Sequence, residues 1–329
     1  MPKLAQQDQI WTQTWHVLQQ GLSTYLNQAA GSTITEELAA SSDLEEDTIR
    51  LFLRYALSYG RPTLGPARVQ YRYPHYNLAE LENDFELLTE RRLLERSADK
   101  GMFAISDSGA RLLENYWQLR KMRANALPAE IKAPFAAITP VLKKVVIGAT
   151  LMDGGNNTVE GAEFSSINWR HKSWQSQADQ LDQVSQAQES YADYTAFNND
   201  NAHYRFDRAP HVFEETKPLG PIAKELFAGM RSGRTRSVDY CTSHSRWRQP
   251  HEACEQAFAN LLKAGLIELS DADYRQSSKG LDVFKRAQDL ADKRFYQPWA
   301  VLTVDEYQNY KSAISMLESL LIAPPSSAP

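Results

Sequence analysis

The sequence predicts a mainly α protein with small β-hairpins, in which one structural unit occurs twice and flanks a helical middle segment. Three observations predict it. Apolar residues recur at three- and four-residue steps through most of the chain, the period of a helix with one buried face. The run from Phe85 to Glu95 (FELLTERRLLE) aligns without gaps to the run from Phe258 to Glu268 (FANLLKAGLIE). After a connection two residues shorter, Phe103-Ala104-Ile105-Ser106-Asp107-Ser108-Gly109 aligns to Tyr274-Arg275-Gln276-Ser277-Ser278-Lys279-Gly280. Self-similarity of this kind marks a repeated supersecondary unit. With 329 residues, of which 42% are hydrophobic, the chain is long enough for two or three domains. The segments are drawn at 1–125, 126–216 and 217–329.

The elements follow in order. From Gln6 to Ala29 the positions Ile10, Trp15, Leu18, Leu22, Tyr25 and Leu26 define one amphipathic helix. A short helix from Ser32 to Ala40, the turn Ser41-Ser42-Asp43 and a second helix carrying Ile49, Leu51, Phe52, Tyr55 and Leu57 then form a helix-turn-helix. Ser/Thr caps, acids in the first turns and Gly60 mark the boundaries. Pro62, Gly65, Pro66 and Pro74 make 61–76 an irregular connection. A helix over 77–92 leads into a hairpin turning at Asp99-Lys100-Gly101, after which Ser106 caps a helix through Leu112, Leu113, Tyr116 and Leu119. In the middle segment Phe135, Ile138, Val141, Leu142, Val145 and Val146 share a helix face. A Gly/Asn loop follows at 153–157, then a long Gln-rich helix from about Ser173 to Arg208. The final helix spans Thr303 to Leu321.

Charge is uneven along the chain. Net charge is −5 overall. Residues 1–125 hold 14 Lys+Arg against 16 Asp+Glu, residues 126–216 hold 7 against 12, and residues 217–329 hold 15 against 13. Attraction to phosphate is therefore expected in the last segment. There is no apolar run long enough to span a bilayer, and the first residues lack the apolar stretch of a secretory leader, so a cytoplasmic protein without membrane partners is expected. Two cysteines, Cys241 and Cys254, suit a reducing compartment and predict no disulfide.

A helix running into a hairpin, followed by Ser-x-x-Gly opening a new helix, resembles the winged-helix domain of MarR-type regulators over residues 30–120 and 218–322. The tail Asp292-Lys293-Arg294-Phe295-Tyr296-Gln297-Pro298-Trp299 with its following helix is similar to uncharacterised bacterial proteins holding two such domains. The resemblance implies tandem winged-helix domains, double-stranded DNA as partner and regulation of transcription. Because MarR-like proteins bind as two-fold dimers, both a homodimer and a monomer mimicking one stay open.

Residues 231–251 hold Arg231, Arg234, Arg236, Arg246 and Arg248, with His244 and His251, against the single acid Asp239. In a winged helix this stretch leads into a recognition helix starting at Pro250, where arginines and the helix N-terminus meet phosphate or guanine edges. The N-terminal counterpart carries Glu80, Glu82, Asp84, Glu86 and Glu90, a face phosphate repels. That favours an alternative, a protein-interaction or ligand-sensing module with degenerate winged helices. Asp200 and His203, one turn apart, with Trp169, His171, Trp174 and His211, supply a candidate pocket for a small-molecule effector. Cys241-x2-His244-x6-His251-x2-Cys254 offers a zinc-like ligand set, but the loop between its pairs is short. Cys254 also falls in phase with Phe258 and Leu261, so core packing and no metal are expected. No cofactor motif and no catalytic motif appears, and an enzyme is not expected. The triplet Gln186-Ala187-Gln188 leaves a third reading, a winged-helix DNA glycosylase.

Overall fold

The structure, a computed structural model, describes residues 1–59, 63–72, 76–156, 182–208, 219–230, 236–243, 249–270 and 273–322. The described residues are mainly helical, with small antiparallel strand pairings. They divide into two compact units, the first formed by 1–64, 88–198 and 295–329, the second by 65–87 and 199–294. Among the described residues no helix is long and apolar enough to cross a membrane.

The chain opens with α1 (Pro2–Gln7), α2 (Ile10–Trp15), a π-helical turn (His16–Leu22) and α3 (Ser23–Ala30). One helix was expected here, but Gln9 takes a positive φ of 47° and interrupts it. Ile10, Leu18 and Leu22 are buried as the periodicity requires, whereas Trp15 is 41% exposed. After α4 (Ile34–Ala40) and α5 (Glu46–Tyr59) the stretch read as an irregular connection contains β1 (Thr63–Leu64) and α6 (Pro66–Arg72). Proline at the first helical position costs no hydrogen bond, so Pro66 starts a helix rather than preventing one. Then come α7 (Leu78–Glu90), β2 (Leu94–Arg96), β3 (Phe103–Ile105), α8 (Asp107–Asn125), α9 (Ala129–Lys132) and α10 (Phe135–Asn156). Helix α10 runs through Gly154 and Gly155, where a loop was expected. Helix α11 spans Gln183–Arg208, with Asp182 Oδ1 accepting from the Ser185 N–H at 2.8 Å as its cap; the expected start at Ser173 lies outside the described residues. The chain continues with α12 (Gly220–Gly229), α13 (Val238–Ser243), α14 (His251–Lys263), β4 (Ile267–Ser270), β5 (Asp273–Gln276), α15 (Ser278–Phe295), a 3-10 turn (Gln297–Val301) and α16 (Val304–Leu321).

The first unit has one apolar core fed by all three of the segments drawn from the sequence: Ile10, Leu18 and Leu22; Phe135, Ile138, Leu142, Val145 and Tyr194; Trp299, Tyr310 and Ile314. Its aromatic centre is ordered by hydroxyl bonds. Trp299 Nε1–H donates to Tyr194 OH at 2.7 Å, and Tyr194 OH donates in turn to the Phe295 carbonyl. Trp11 stacks on Tyr191 with centroids 4.6 Å apart, and Thr14 Oγ1 lies 2.6 Å from Tyr310 OH. Buried Tyr and Trp need such partners for their polar ends. Capping boxes at Thr33/Glu36 and Thr303/Glu306 start α4 and α16. In the second unit Phe227, Cys254, Phe258, Leu261, Leu266, Ile267 and Val283 form the core, with Tyr274 stacked on Phe258 at 4.5 Å.

The aligned runs take the same local structure bond for bond. Leu94 pairs with Ile105 and Arg96 with Phe103; Ile267 pairs with Gln276 and Ser270 with Asp273. Arg92 and Gly265 occupy the same place before the hairpin with φ of 60° and 69°. Ser106 Oγ accepts from the Gly109 N–H at 3.1 Å and donates to the Arg92 carbonyl at 2.5 Å, while Ser277 Oγ accepts from Gly280 at 3.0 Å and donates to Gly265 at 2.6 Å. The likeness extends upstream. Strand β1 joins β3 in the first copy, and Arg236 exchanges two 2.9 Å backbone hydrogen bonds with Tyr274 of β5 in the second.

The glycine of each junction is dictated by distance. A Cβ at Gly109 would stand 2.3 Å from the Leu93 carbonyl oxygen, and one at Gly280 would stand 2.0 Å from that of Leu266. Gly109→Ala and Gly280→Ala are each expected to cost about 2–3 kcal/mol, as forced overpacking does, against about 1 kcal/mol for removing the cap with Ser106→Ala. Urea denaturation of the three variants checks the ranking, and glycine losses no larger than the serine loss would contradict it.

Candidate functional site

The residues expected to meet DNA are only partly within the described set. Arg231, Arg234, Arg246, Arg248 and His244 lie outside it. Arg236 is half-buried and its Nη2 donates to the Gly229 carbonyl at 3.1 Å, so this arginine braces the strand beside β5 and does not stand open to phosphate. His251 is exposed at the start of α14, with Glu255 one turn on at 3.4 Å. On the adjoining hairpin Arg275 is tied to Glu268 at 2.8 Å.

Of the candidate effector residues, Trp169 and His171 lie outside the described residues, as do Trp174 and His211. Asp200 and His203 fall on α11 at i and i+3, in a stretch whose side chains are also outside the described set. Of the zinc-like set, Cys254 takes the core position expected of it. Cys254 is fully buried and disulfide-bonded, and the only other cysteine in the sequence is Cys241. A disulfide sulfur is not the thiolate a zinc ion needs, and the expectation of no disulfide falls with it. The reason it was missed is spatial: α13 and α14 pack against each other, which spacing along the chain does not reveal.

The structure brings together a different site, a pocket of about 510 Å³ in the first unit. Five segments line it: Gln19 to Asn27, the cap and first turn of α4, one face of α5, the latter half of α8, and Gln188, Glu189 and Ala192 of α11. Residues Arg50, Leu53, Arg54 and Leu57 recur on α5 at i, i+3, i+4 and i+7, which places them on one face. Four arginines, Arg50, Arg54, Arg120 and Arg123, stand around it, with Leu26, Ile34, Leu53 and Leu57 as its apolar part.

Arg120 is the best-held of the four. Its Nη1 donates to Glu189 Oε1 and, at 3.2 Å, to Tyr116 OH, its Nη2 donates to Gln188 Oε1 at 2.8 Å, and its guanidinium lies 5.5 Å and 5.2 Å from the Tyr116 and Trp117 ring centres. The side chains of the ion pair are 12% and 9% exposed. Burial works against the charged guanidinium, but Tyr116 and Glu189 outweigh it and leave the pKa above the ordinary value. Arg123 donates to Asn27 Oδ1 at 3.0 Å and to Glu37 Oε1 at 2.7 Å, while its buried Nε has no acceptor among the described residues. Ser32 Oγ, donating at 2.8 Å, and Arg123 together hold the Glu37 carboxyl below its ordinary pKa. Arg50 is paired with Glu46, whose carboxyl accepts from Thr35 at 2.7 Å. Arg54 is exposed and has no acidic partner among the described residues. Of the glutamines behind the glycosylase reading, Gln188 is engaged by Arg120.

Sequence reasoning missed this pocket except for Gln188. Arg120 and Arg123 sit in the last turns of α8, where basic residues ordinarily answer the helix dipole in solvent. Their one signal was spacing: at i and i+3 they share a face with Tyr116.

Comparison with known proteins adds no relative: no family model, no curated protein and no solved structure matches the chain.

Two outcomes follow. Arg120→Met strands a buried carboxylate and is expected to lower stability by about 3–5 kcal/mol, with Arg120→Met/Glu189→Leu recovering much of it; equal losses in single and double variants would contradict the pairing. Because the folded pKa of Glu37 is lowered, the unfolded chain takes up its proton first as pH falls, so the contribution is present above the ordinary glutamate pKa of about 4.3 and is lost below it. The stability gap between wild type and Glu37→Gln, followed by denaturation across pH 7 to about 3, should therefore narrow through that window, and a gap that widens would contradict the assignment.

Proposed function

We propose that the two repeated units are winged helices and that the chain is a double-stranded DNA-binding protein of the transcription-regulator kind. The observation that carries this reading is the duplicated order of elements. In the first copy α5, β1, α6, α7 and the β2–β3 hairpin follow one another; in the second α12, the Arg236 bridge, α13, α14 and the β4–β5 hairpin do. Helix, short strand, two helices and a two-stranded wing is the arrangement that presents its last helix to a major groove. On this reading α7 and α14 are the recognition helices, and the α4–α5 pair read from the sequence as the helix-turn-helix supplies the first helix of the unit rather than the reading helix.

Charge chooses between the copies. Helix α7 carries Glu80, Glu82, Asp84, Glu86 and Glu90 and suits a structural or protein-binding role, because a phosphate backbone repels it. Residues 231–251 carry five arginines against one acid, so the C-terminal copy takes the duplex. Arg236 being engaged with Gly229, phosphate contact falls to Arg231, Arg234, Arg246 and Arg248, with His251 at the N-terminus of α14.

Fluorescence anisotropy on mixed-sequence duplex DNA across a salt series tests this. Wild type is expected to bind at low salt with a steep salt dependence. Changing Arg231, Arg234, Arg246 and Arg248 to Glu should abolish binding, whereas changing them to Gln should flatten the log–log slope by up to about 3–4. Absence of binding at low salt, or binding unchanged in the variants, would overturn the reading.

A further inference from the structure

We propose that the pocket of the first unit is a binding site for a small amphipathic carboxylic acid, one carboxylate on an apolar body. The charges around the pocket set the sign and the number. Arg120 is neutralised by Glu189, Arg123 by Glu37 and Arg50 by Glu46, which leaves the Arg54 cation unbalanced among the described residues that line it. One anion completes the set. Arg123, whose side chain is 5% exposed, is also among the lining residues, and its Nε, shut off from solvent, has no acceptor among the described residues.

The rest of the wall fixes the body of the ligand. Leu26, Ile34, Leu53 and Leu57 offer apolar surface, and about 510 Å³ is the size of pocket that encloses a small organic molecule rather than a bare inorganic ion. The planar fork of a guanidinium matches a carboxylate better than it matches any neutral group. The other arginines are held by their glutamates, so the walls are already in place when the ligand enters, and little ordering is left to oppose binding. The site stands on its own residues and does not depend on the DNA-binding reading.

Trp117 lies against the Arg120 guanidinium and gives an intrinsic signal for the test. Full-length protein is titrated with octanoate, octanamide and inorganic phosphate, following tryptophan fluorescence and, in parallel, calorimetry. Octanoate is expected to bind saturably and at least about tenfold more tightly than octanamide or phosphate, and Arg54→Gln, at an exposed position, should weaken it about tenfold while leaving the thermal midpoint in place. Leu57→Gln should weaken octanoate without creating affinity for phosphate. No octanoate binding up to about 10 mM, equal binding of the amide, equal binding of phosphate, or indifference to Arg54→Gln would each overturn the proposal.

Discussion

The helix that follows each hairpin starts within touching distance of the carbonyl that opens the hairpin, and this close approach is the constraint on which both repeated units depend. At Gly109 and Gly280 there is no room for a Cβ beside the Leu93 and Leu266 oxygens. The serine three residues earlier uses its single oxygen twice, capping the helix and holding the carbonyl of the residue that turns with positive φ. Hairpin register, helix start and the turn after the preceding helix are thereby fixed together. A change in any one moves the other two, so the Ser-x-x-Gly pattern survives where the surrounding residues differ between the copies.

The aromatic centre of the first unit does a different job. It binds stretches far apart in sequence into one core: Trp11 and Thr14 near the start, Tyr191 and Tyr194 on α11, Trp299 and Tyr310 near the end. Rings supply the buried area, and the paired hydroxyl and indole groups of Thr14, Tyr194, Trp299 and Tyr310 make the geometry specific. The pocket is a by-product of the same arrangement. Helix α11, anchored by Tyr191 and Tyr194, carries Glu189 to Arg120, and that pair forms one wall.

What the sequence disclosed and what it hid follow from the range of the interactions. Caps, the hairpins and the repeat were legible because they are local: Thr33 with Glu36, Ser106 with Gly109, and the α7 and α14 runs lie within a dozen residues of their partners. The apolar face of α10 was legible because six residues repeat it. Strand β1 was hidden because two residues carry no periodicity and its partner, β3, lies about forty positions on. The break at Gln9 was hidden for want of a glycine or proline to signal it. The pocket was hidden because five segments distant in sequence meet there. The cysteines were read from compartment statistics, which say nothing about two helices that pack side by side.

On the proposed DNA-binding reading, duplication of the unit came with division of labour, the C-terminal copy facing the duplex and the acidic α7 turned to other use. Charge supports this division, through five arginines in 231–251 against five acids on α7, and packing permits it, because both copies keep the same junction whatever their surfaces carry. Hydrogen–deuterium exchange of the full chain with and without saturating mixed-sequence duplex tests it most directly. Protection is expected over residues 231–251 and along α14 and the β4–β5 hairpin, with exchange over 78–90 unchanged; protection gained over 78–90, or shared equally by the two copies, would contradict the division of labour.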